Sequence, residues 1–288
     1  PAGATAISAD GGNAALTSLH QGGDGGTIHI GSDAKPIAGD VMIKKAISAS
    51  SGANATILQH GGKGGTVSVV SGGKIDVRAD IKVSDSTGAK RSERGGHIRL
   101  DSRLTSGDAI VVSNSGQLRA LLDAAAPGPG GKVEFVTAGG NIRVDGGSVI
   151  ADKGTIDLRN NGAGTIHLLN ANLRADVIKA NALGVNGQLI IGGGTIDANS
   201  VMKLYATGSN GTVRFIDNVS LNGNSVKTIA GNTVTIDNGK IVTVNGPNAA
   251  NVHTNNPNYT GSGGNNSTSG RFGGRGATTQ SFGSRPNY

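Results

Sequence analysis

The segment Gly25-Gly26-Thr27-Ile28-His29-Ile30 recurs as Gly64-Gly65-Thr66-Val67-Ser68-Val69, and Ile7-Ser8-Ala9 recurs at nearly the same offset as Ile47-Ser48-Ala49. Self-similarity at a fixed period is the signature of stacked units, each too small to bury its apolar face alone. Looser copies follow: Val83-Ser84-Asp85 leads to Gly95-Gly96-His97-Ile98, and Val112-Ser113-Asn114 leads to Gly130-Gly131-Lys132-Val133. Each copy reads as a strand, a Gly/Ala/Ser-rich insertion, a double glycine and a second strand. The insertions fall at roughly 10–24, 50–64, 86–95 and 115–130.

Further along, the insertions disappear. Ile196-Asp197, Ile216-Asp217 and Ile236-Asp237 are evenly spaced at twenty, Ile156-Asp157 sits two such steps earlier, and Asn141, Asn161 and Asn181 keep the same spacing. A period of about twenty suits one coil of a β-solenoid. The chain therefore divides into coils with long insertions over 1–135 (period about 36–40), regular coils over 136–245 (period about 20), and an extended tail over 246–288.

Local grammar supports strands. Gly-x-(Ile/Val) begins at Gly26, Gly65, Gly73, Gly96, Gly131, Gly140, Gly147, Gly154, Gly164, Gly194, Gly211 and Gly239. After it the residues alternate, as in Thr155-Ile156-Asp157-Leu158 and Thr212-Val213-Arg214-Phe215. Alternation puts aliphatic side chains on one face and polar ones on the other, the pattern of a half-buried strand. Glycine is expected to supply the turn residue between strands. Only Gln117 to Ala126 has helical spacing, and it predicts a short helix ended by Pro127.

Composition closes off other classes. Among 288 residues there are 50 glycines, no cysteine, no tryptophan and seven aromatics, so disulfide scaffolds, Cys-based zinc sites and catalytic thiols are excluded. Glycine does not fall at every third position, which excludes collagen. No apolar run is long enough to suggest a spanning helix. The net charge of +7 favours contact with anionic surfaces. The chain starts at Pro1, which reads as a processed mature form.

The Gly-Gly-Thr-Ile strands, followed by Ile-Asp-Ala and by Val149-Ile150-Ala151-Asp152, resemble repeats of the filamentous haemagglutinin type, a family of large secreted bacterial β-helix adhesins and exoproteins. The resemblance covers roughly residues 64 to 245. It implies a single-stranded right-handed parallel β-helix, export, and a surface or matrix role. It carries no shared catalytic residues, and no secretion domain of the family is recognisable here.

Chemical candidates are few. Asp197, Asp217 and Asp237 at one-coil spacing would form a carboxylate ladder, which needs either a bridging divalent cation or neutralisation by turn N–H groups or by Lys203, Arg214 or Lys240. The calcium-binding glycine-aspartate repeat is missing, so neutralisation is favoured and no metal or cofactor is expected. His20 and His60 occupy equivalent insertion points, while His29, His97 and His167 lie on or beside strands. Asp24 and Lys63 are expected to form an exposed ion pair from coil to coil. The Gly-Lys steps at 62–63, 73–74, 131–132 and 239–240 lack the Ser/Thr and helix of a phosphate loop. Asp145, Asp152, Asp157 and Arg159 cluster in sequence, but coil geometry is expected to scatter them.

The tail has no acidic residue and holds four of the seven aromatics. Tyr259, Arg271, Phe272, Arg275, Phe282, Arg285 and Tyr288 are of the types that anchor interfaces, so the tail is expected to dock on its own or a neighbouring subunit. Arg271 to Gly276 also resembles a single RGG element, which is too little for a nucleic-acid site. The expectation is a non-enzymatic structural subunit of an extracellular bacterial filament or surface fibre, polymerising head to tail. A secreted adhesin or glycan-binding β-helix, with anionic cell-surface polysaccharide as partner, is the alternative; a polysaccharide-degrading enzyme is the second.

Overall fold

The computed structural model describes residues 7–13, 22–52, 62–84, 95–121, 130–246, 250–254, 269–272 and 278–281. Among them the protein is all-β, without helices, and its strands pair in parallel apart from two near the C-terminus. The chain visits three ladders in a fixed order and then returns to the first, one strand further on. The first ladder runs through Ile7–Ser8, Ile47–Ser48, Ile81–Lys82 and Gln117–Arg119 to the start of Ser148–Asn160. The second runs through Thr27–Ile30, Thr66–Ser71, His97–Ser102 and Lys132–Thr137 to the end of Ser148–Asn160. The third is a separate eight-stranded sheet from Val41–Ile43 to Thr233–Ile236.

From Ser148 onward the first two ladders share continuous strands. Ser148–Asn160, Asn172–Ala182 and Thr195–Ala206 each turn a corner without ending, with a register shift at the bend. Lys153 takes a φ of 54° at the first of these bends. Above them, Val219–Asn222 and Ile241–Val244 extend the first ladder, and Val226–Gly231 and Ala250–Thr254 extend the second.

The first two repeats are real neighbours. Ile7 pairs with Ile47 and Ser8 with Ser48, and Thr27 to Ile30 pair with Thr66 to Val69, as the repeated sequences require. The later spacing of twenty is not a circuit. Ile156, Ile178 and Met202 occupy one ladder position, and Ile142, Ile166 and Leu189 another, so each circuit is slightly longer than that spacing. The Ile-Asp dipeptides instead fall on different ladders: Ile156 on the second, Ile196 on the first and Ile236 on the third. All three ladders use the same inward-aliphatic, outward-polar alternation, so a dipeptide does not reveal which one carries it.

The inward residues form columns. Val67, Ile98, Val133, Ile156, Ile178 and Met202 stack in the second ladder, and Ile81, Leu118, Val149, Leu173 and Ile196 in the first, all buried. Each such aliphatic contributes about 1.5–3 kcal/mol on full burial. A small column, Ala120, Ala151, Ala175 and Ala198, lines the bend where the backbones come close. Two aromatics outside the tail, Phe135 and Phe215, are core residues.

The expected helix from Gln117 is not formed. Gln117–Arg119 is a strand between Ile81–Lys82 and Ser148–Asn160, with Leu118 and Ala120 fully buried. A site on the ladder overrides the local preference, because Leu118 fills the column. The rest of that stretch, 122–129, lies outside the described residues. The position equivalent to Val83 is accordingly Ala120, on the first ladder, and not Val112 on the third.

The double glycines mark one corner. Thr66, His97, Lys132 and Thr155 donate their N–H groups to the carbonyls of Gly26, Gly65, Gly96 and Gly131, each at 2.9 Å. The same corner is cross-linked where the insertions leave and re-enter: Gly26 N–H to Ala9 O at 2.6 Å, Gly65 N–H to Ala49 O at 2.7 Å and Gly96 N–H to Val83 O at 3.0 Å. A Cβ on Gly65 would lie 2.6 Å from Ala49 O, and one on Gly131 would lie 2.5 Å from Ala120 O. Close approach of backbones, not turn conformation, requires glycine here.

Candidate functional site

The outward face of the second ladder carries the densest charge. Ser68, Arg99, Glu134, Asp157, Lys179, Lys203 and Thr228 stand in one column in parallel register. Beside it stand Asp101, Val136, Arg159, Asn181 and Tyr205. Alternation along each strand turns these side chains out while Ile98, Leu100, Leu158, Ile178, Ala180 and Leu204 turn in.

Low on this face, acid and base are closely matched. Arg99 donates to both carboxylate oxygens of Asp33 at 2.8 Å and to Asp101, and Arg103 also reaches Asp33 at 2.8 Å. Asp33 comes from the segment after Ile30, which lies along the Thr66–Ser71 strand through Ile37 N–H to Val70 O at 3.0 Å and Gly72 N–H to Ile37 O at 2.7 Å. Val70, at an outward position, is left 1% exposed. The Arg99 hydrogen bond holds Asp33 below the usual carboxylate range.

One strand on, Lys132 Nζ is 2.9 Å from Glu134 Oε1 and Arg159 is 2.7 Å from Asp157 Oδ2. Burial alone would raise Glu134, but the Lys132 hydrogen bond and the charges of Lys132, His97 and Arg159 outweigh it, and its pKa falls. His97 Nε2 lies 3.6 Å from Glu134 Oε2, too long for a hydrogen bond. Burial, helped by Lys132, pushes the His97 pKa down. His167 on the third ladder is lowered by burial and by Arg143. His29 lies on an exposed strand position, and His20 and His60 fall outside the described residues.

The three aspartates do not form a ladder. Asp197 stands opposite Arg174 and Asn222. Asp217 accepts from Lys240 Nζ at 2.9 Å and from the Asn218 N–H at 2.8 Å, and Asp237 takes a two-pronged bond from Arg214 at 2.7 and 2.8 Å. Because a circuit is longer than their spacing, the carboxylates land on different ladders or at a turn beside cations. Among the described residues no three His, Asp or Glu side chains are grouped to hold a metal.

Asp145, Asp152 and Asp157 are scattered as the sequence suggests. Asp145 pairs with Arg143 on the third ladder at 2.7 Å, Asp152 with Arg174 at the bend at 2.7 Å, and Asp157 with Arg159. Asp24 and Lys63 meet through the main chain: the Lys63 N–H donates to Asp24 Oδ1 at 2.8 Å. In the tail, Ser269–Phe272 pairs antiparallel with Ala250–Thr254, and Thr278–Ser281 with Ile241–Val244. Arg271 and Phe272 therefore sit on a strand of their own chain, opposite Asn251 and Ala250. Tyr259, Arg275, Phe282, Arg285 and Tyr288 lie outside the described residues.

Sequence reasoning missed the Asp33–Arg99–Asp101–Arg103 cluster and the adjacent pair Lys179 and Lys203. Their alternation with aliphatics was visible, but the register that brings them together was not. Among the described residues no helix is long and apolar enough to cross a membrane. Comparison with protein-family models, with curated proteins and with solved structures returns no match.

Proposed function

We propose that this chain is a right-handed, single-stranded parallel β-helix serving as a non-enzymatic structural subunit of an extracellular bacterial filament or surface fibre. Parallel return of the chain to the same ladder on each circuit supports the architecture, and right-handed crossover is the strong preference for such connections. The observation that carries the assembly reading is the edge arrangement. Ser269–Phe272 and Thr278–Ser281 each pair on one side only among the described residues, as do Thr27–Ile30 and Val41–Ile43 at the opposite end. One-sided strands are templates for another chain, so the docked tail of one copy offers edges to the first circuit of the next.

Paired charges support the non-enzymatic part. A carbohydrate-cleaving site needs free carboxylates converging on a sugar. Here Asp76, Asp101, Glu134, Asp145, Asp152, Asp157 and Asp237 each contact Arg or Lys. The adhesin reading draws on a separate feature, since all the long insertions leave from the corner between the first and second ladders.

Electron microscopy and sedimentation of the purified chain test the assembly. Filaments are expected, and they are expected to vanish on deletion of 261–288, with the β-sheet circular dichroism retained. A Thr279→Pro variant, which puts a residue without an N–H on the outermost tail strand, is expected to weaken assembly without loss of the fold. A wild-type chain that stays monomeric at high concentration, or truncated and Thr279→Pro chains that assemble undiminished, overturns the proposal.

A further inference from the structure

Lys179 and Lys203 are direct neighbours in parallel register on the second ladder. Strands in a sheet lie about 4.8 Å apart, and like charges opposite one another are destabilising. Elsewhere in this column like charges are neutralised: Glu134 and Asp157 are also register neighbours, but Arg159 reaches both, at 3.9 and 2.7 Å, and Arg99 stands against Glu134 on its other side. Neither lysine has a carboxylate within ion-pair distance among the described residues. Asp157, next to Lys179 in register, already gives one oxygen to Arg159, while its other oxygen is buried without a partner. Both lysines are half-buried, so their stems lie on the sheet and their ammonium groups are held at its surface.

The flanking column completes a site. Asn181 stands opposite Arg159 on one side and Tyr205 on the other, and the Lys203 ammonium lies 5.9 Å from the Tyr205 ring centre. Two adjacent cations, a primary amide and an aromatic face thus share a flat patch two strands wide, all half-buried and accessible from the same side.

We propose that Lys179, Lys203, Asn181 and Tyr205 form a binding site for an acidic polysaccharide, whose carboxylate or sulfate groups lie between the two lysines while a sugar ring rests on Tyr205 and its hydroxyls meet Asn181. An anion between the lysines turns the repulsion into two charge-assisted hydrogen bonds. A polysaccharide is favoured over nucleic acid because a single tyrosine offers no succession of stacking faces. The site lies on the side of the molecule, away from the end-on edges, and does not depend on filament formation.

The experiment measures binding of the full chain, kept dilute, to a polyuronate, a heavily sulfated glycan, a neutral dextran and duplex DNA, by biolayer interferometry over a range of salt. Salt-sensitive binding to one or both acidic glycans and none to dextran is expected. Lys179→Thr with Lys203→Thr is expected to weaken it by about tenfold or more, since both charge-assisted hydrogen bonds to the anion are lost. Tyr205→Leu is expected to weaken glycan binding as well. Lys44→Thr with Lys45→Thr removes the same charge from an exposed stretch of the first circuit and is expected to leave binding unchanged. Equal loss in both double variants, no glycan binding at all, or tighter binding to DNA than to either acidic glycan overturns the proposal. All of the replaced side chains are at least partly exposed, and unchanged melting curves distinguish lost binding from lost fold.

Discussion

Arg214, on the Thr212–Phe215 strand of the third ladder, meets Asp237, the residue directly after the neighbouring strand Thr233–Ile236, with Nε to Oδ1 at 2.7 Å and a second bond to Oδ2 at 2.8 Å. The pair takes Asp237 out of any metal-binding ladder, and Lys240 does the same for Asp217. The Arg214 bond holds the Asp237 carboxyl below its ordinary value. A chelator is therefore expected to leave the melting temperature unchanged. A drop on chelation that calcium restores is the contrary result.

The glycine corner should be intolerant. Gly65→Ala or Gly131→Ala places a methyl group against backbone carbonyls that hold adjacent strands together, and overpacking of this kind costs about 1–3 kcal/mol. Gly39→Ala, where an added Cβ meets nothing within 4 Å, is the matched control and is expected to be nearly neutral. Urea unfolding of the three variants measures the contrast.

Stability should fall with acid in two stages. His97 and His167 have pKa values lowered from 6.5 by burial, so the unfolded chain takes up protons first. Stability is then lost as pH drops below about 6.5, and the loss levels off once the folded-state values are passed. Asp33, Glu134, Asp217 and Asp237 also have lowered values, so their stabilisation is complete above the ordinary carboxylate range and is lost as pH falls through their folded values. Replacing both histidines with Gln is expected to abolish the first stage and leave the second.

Lys227 occupies an inward position in the column of Ile178 and Met202 and is fully buried, with Nζ donating to Gly223 O at 2.8 Å and to Ser225 O at 3.2 Å. Burial lowers its pKa from 10.5, opposed by the charge of Asp197. The folded chain releases that proton first, so this residue makes stability rise as pH climbs from the folded value towards 10.5. Lys227→Met is expected to remove that rise. Unfolding free energies of wild type and variant that run parallel from neutral pH up to 10.5 would refute it.

The repeated segments made the first two circuits legible to the residue, because Ile7 on Ile47 and Thr27 on Thr66 are both sequence repeats and spatial contacts. Alternation likewise identified which of Thr155, Ile156, Asp157 and Leu158 turn inward. The length of the later circuits was not legible. Three ladders obey one rule, and Ile196 and Ile236 look alike while lying on different ones. The Lys179–Lys203 patch was hidden for the same reason.

Sequence alone pointed to the β class, to the inward aliphatics of the alternating strands and to the glycine positions of the corner, because alternation and small size are properties of single residues and their immediate neighbours. The inward Lys227 and Leu118 escaped it. Tertiary structure decided which circuit lies on which, and hence that Gln117–Arg119 is a strand, that Asp237 meets Arg214, and that the tail strands pair with their own chain. Those outcomes depend on register. Register is set by the combined length of bends and strands around a whole circuit, where one residue more or less turns every side chain to the opposite face.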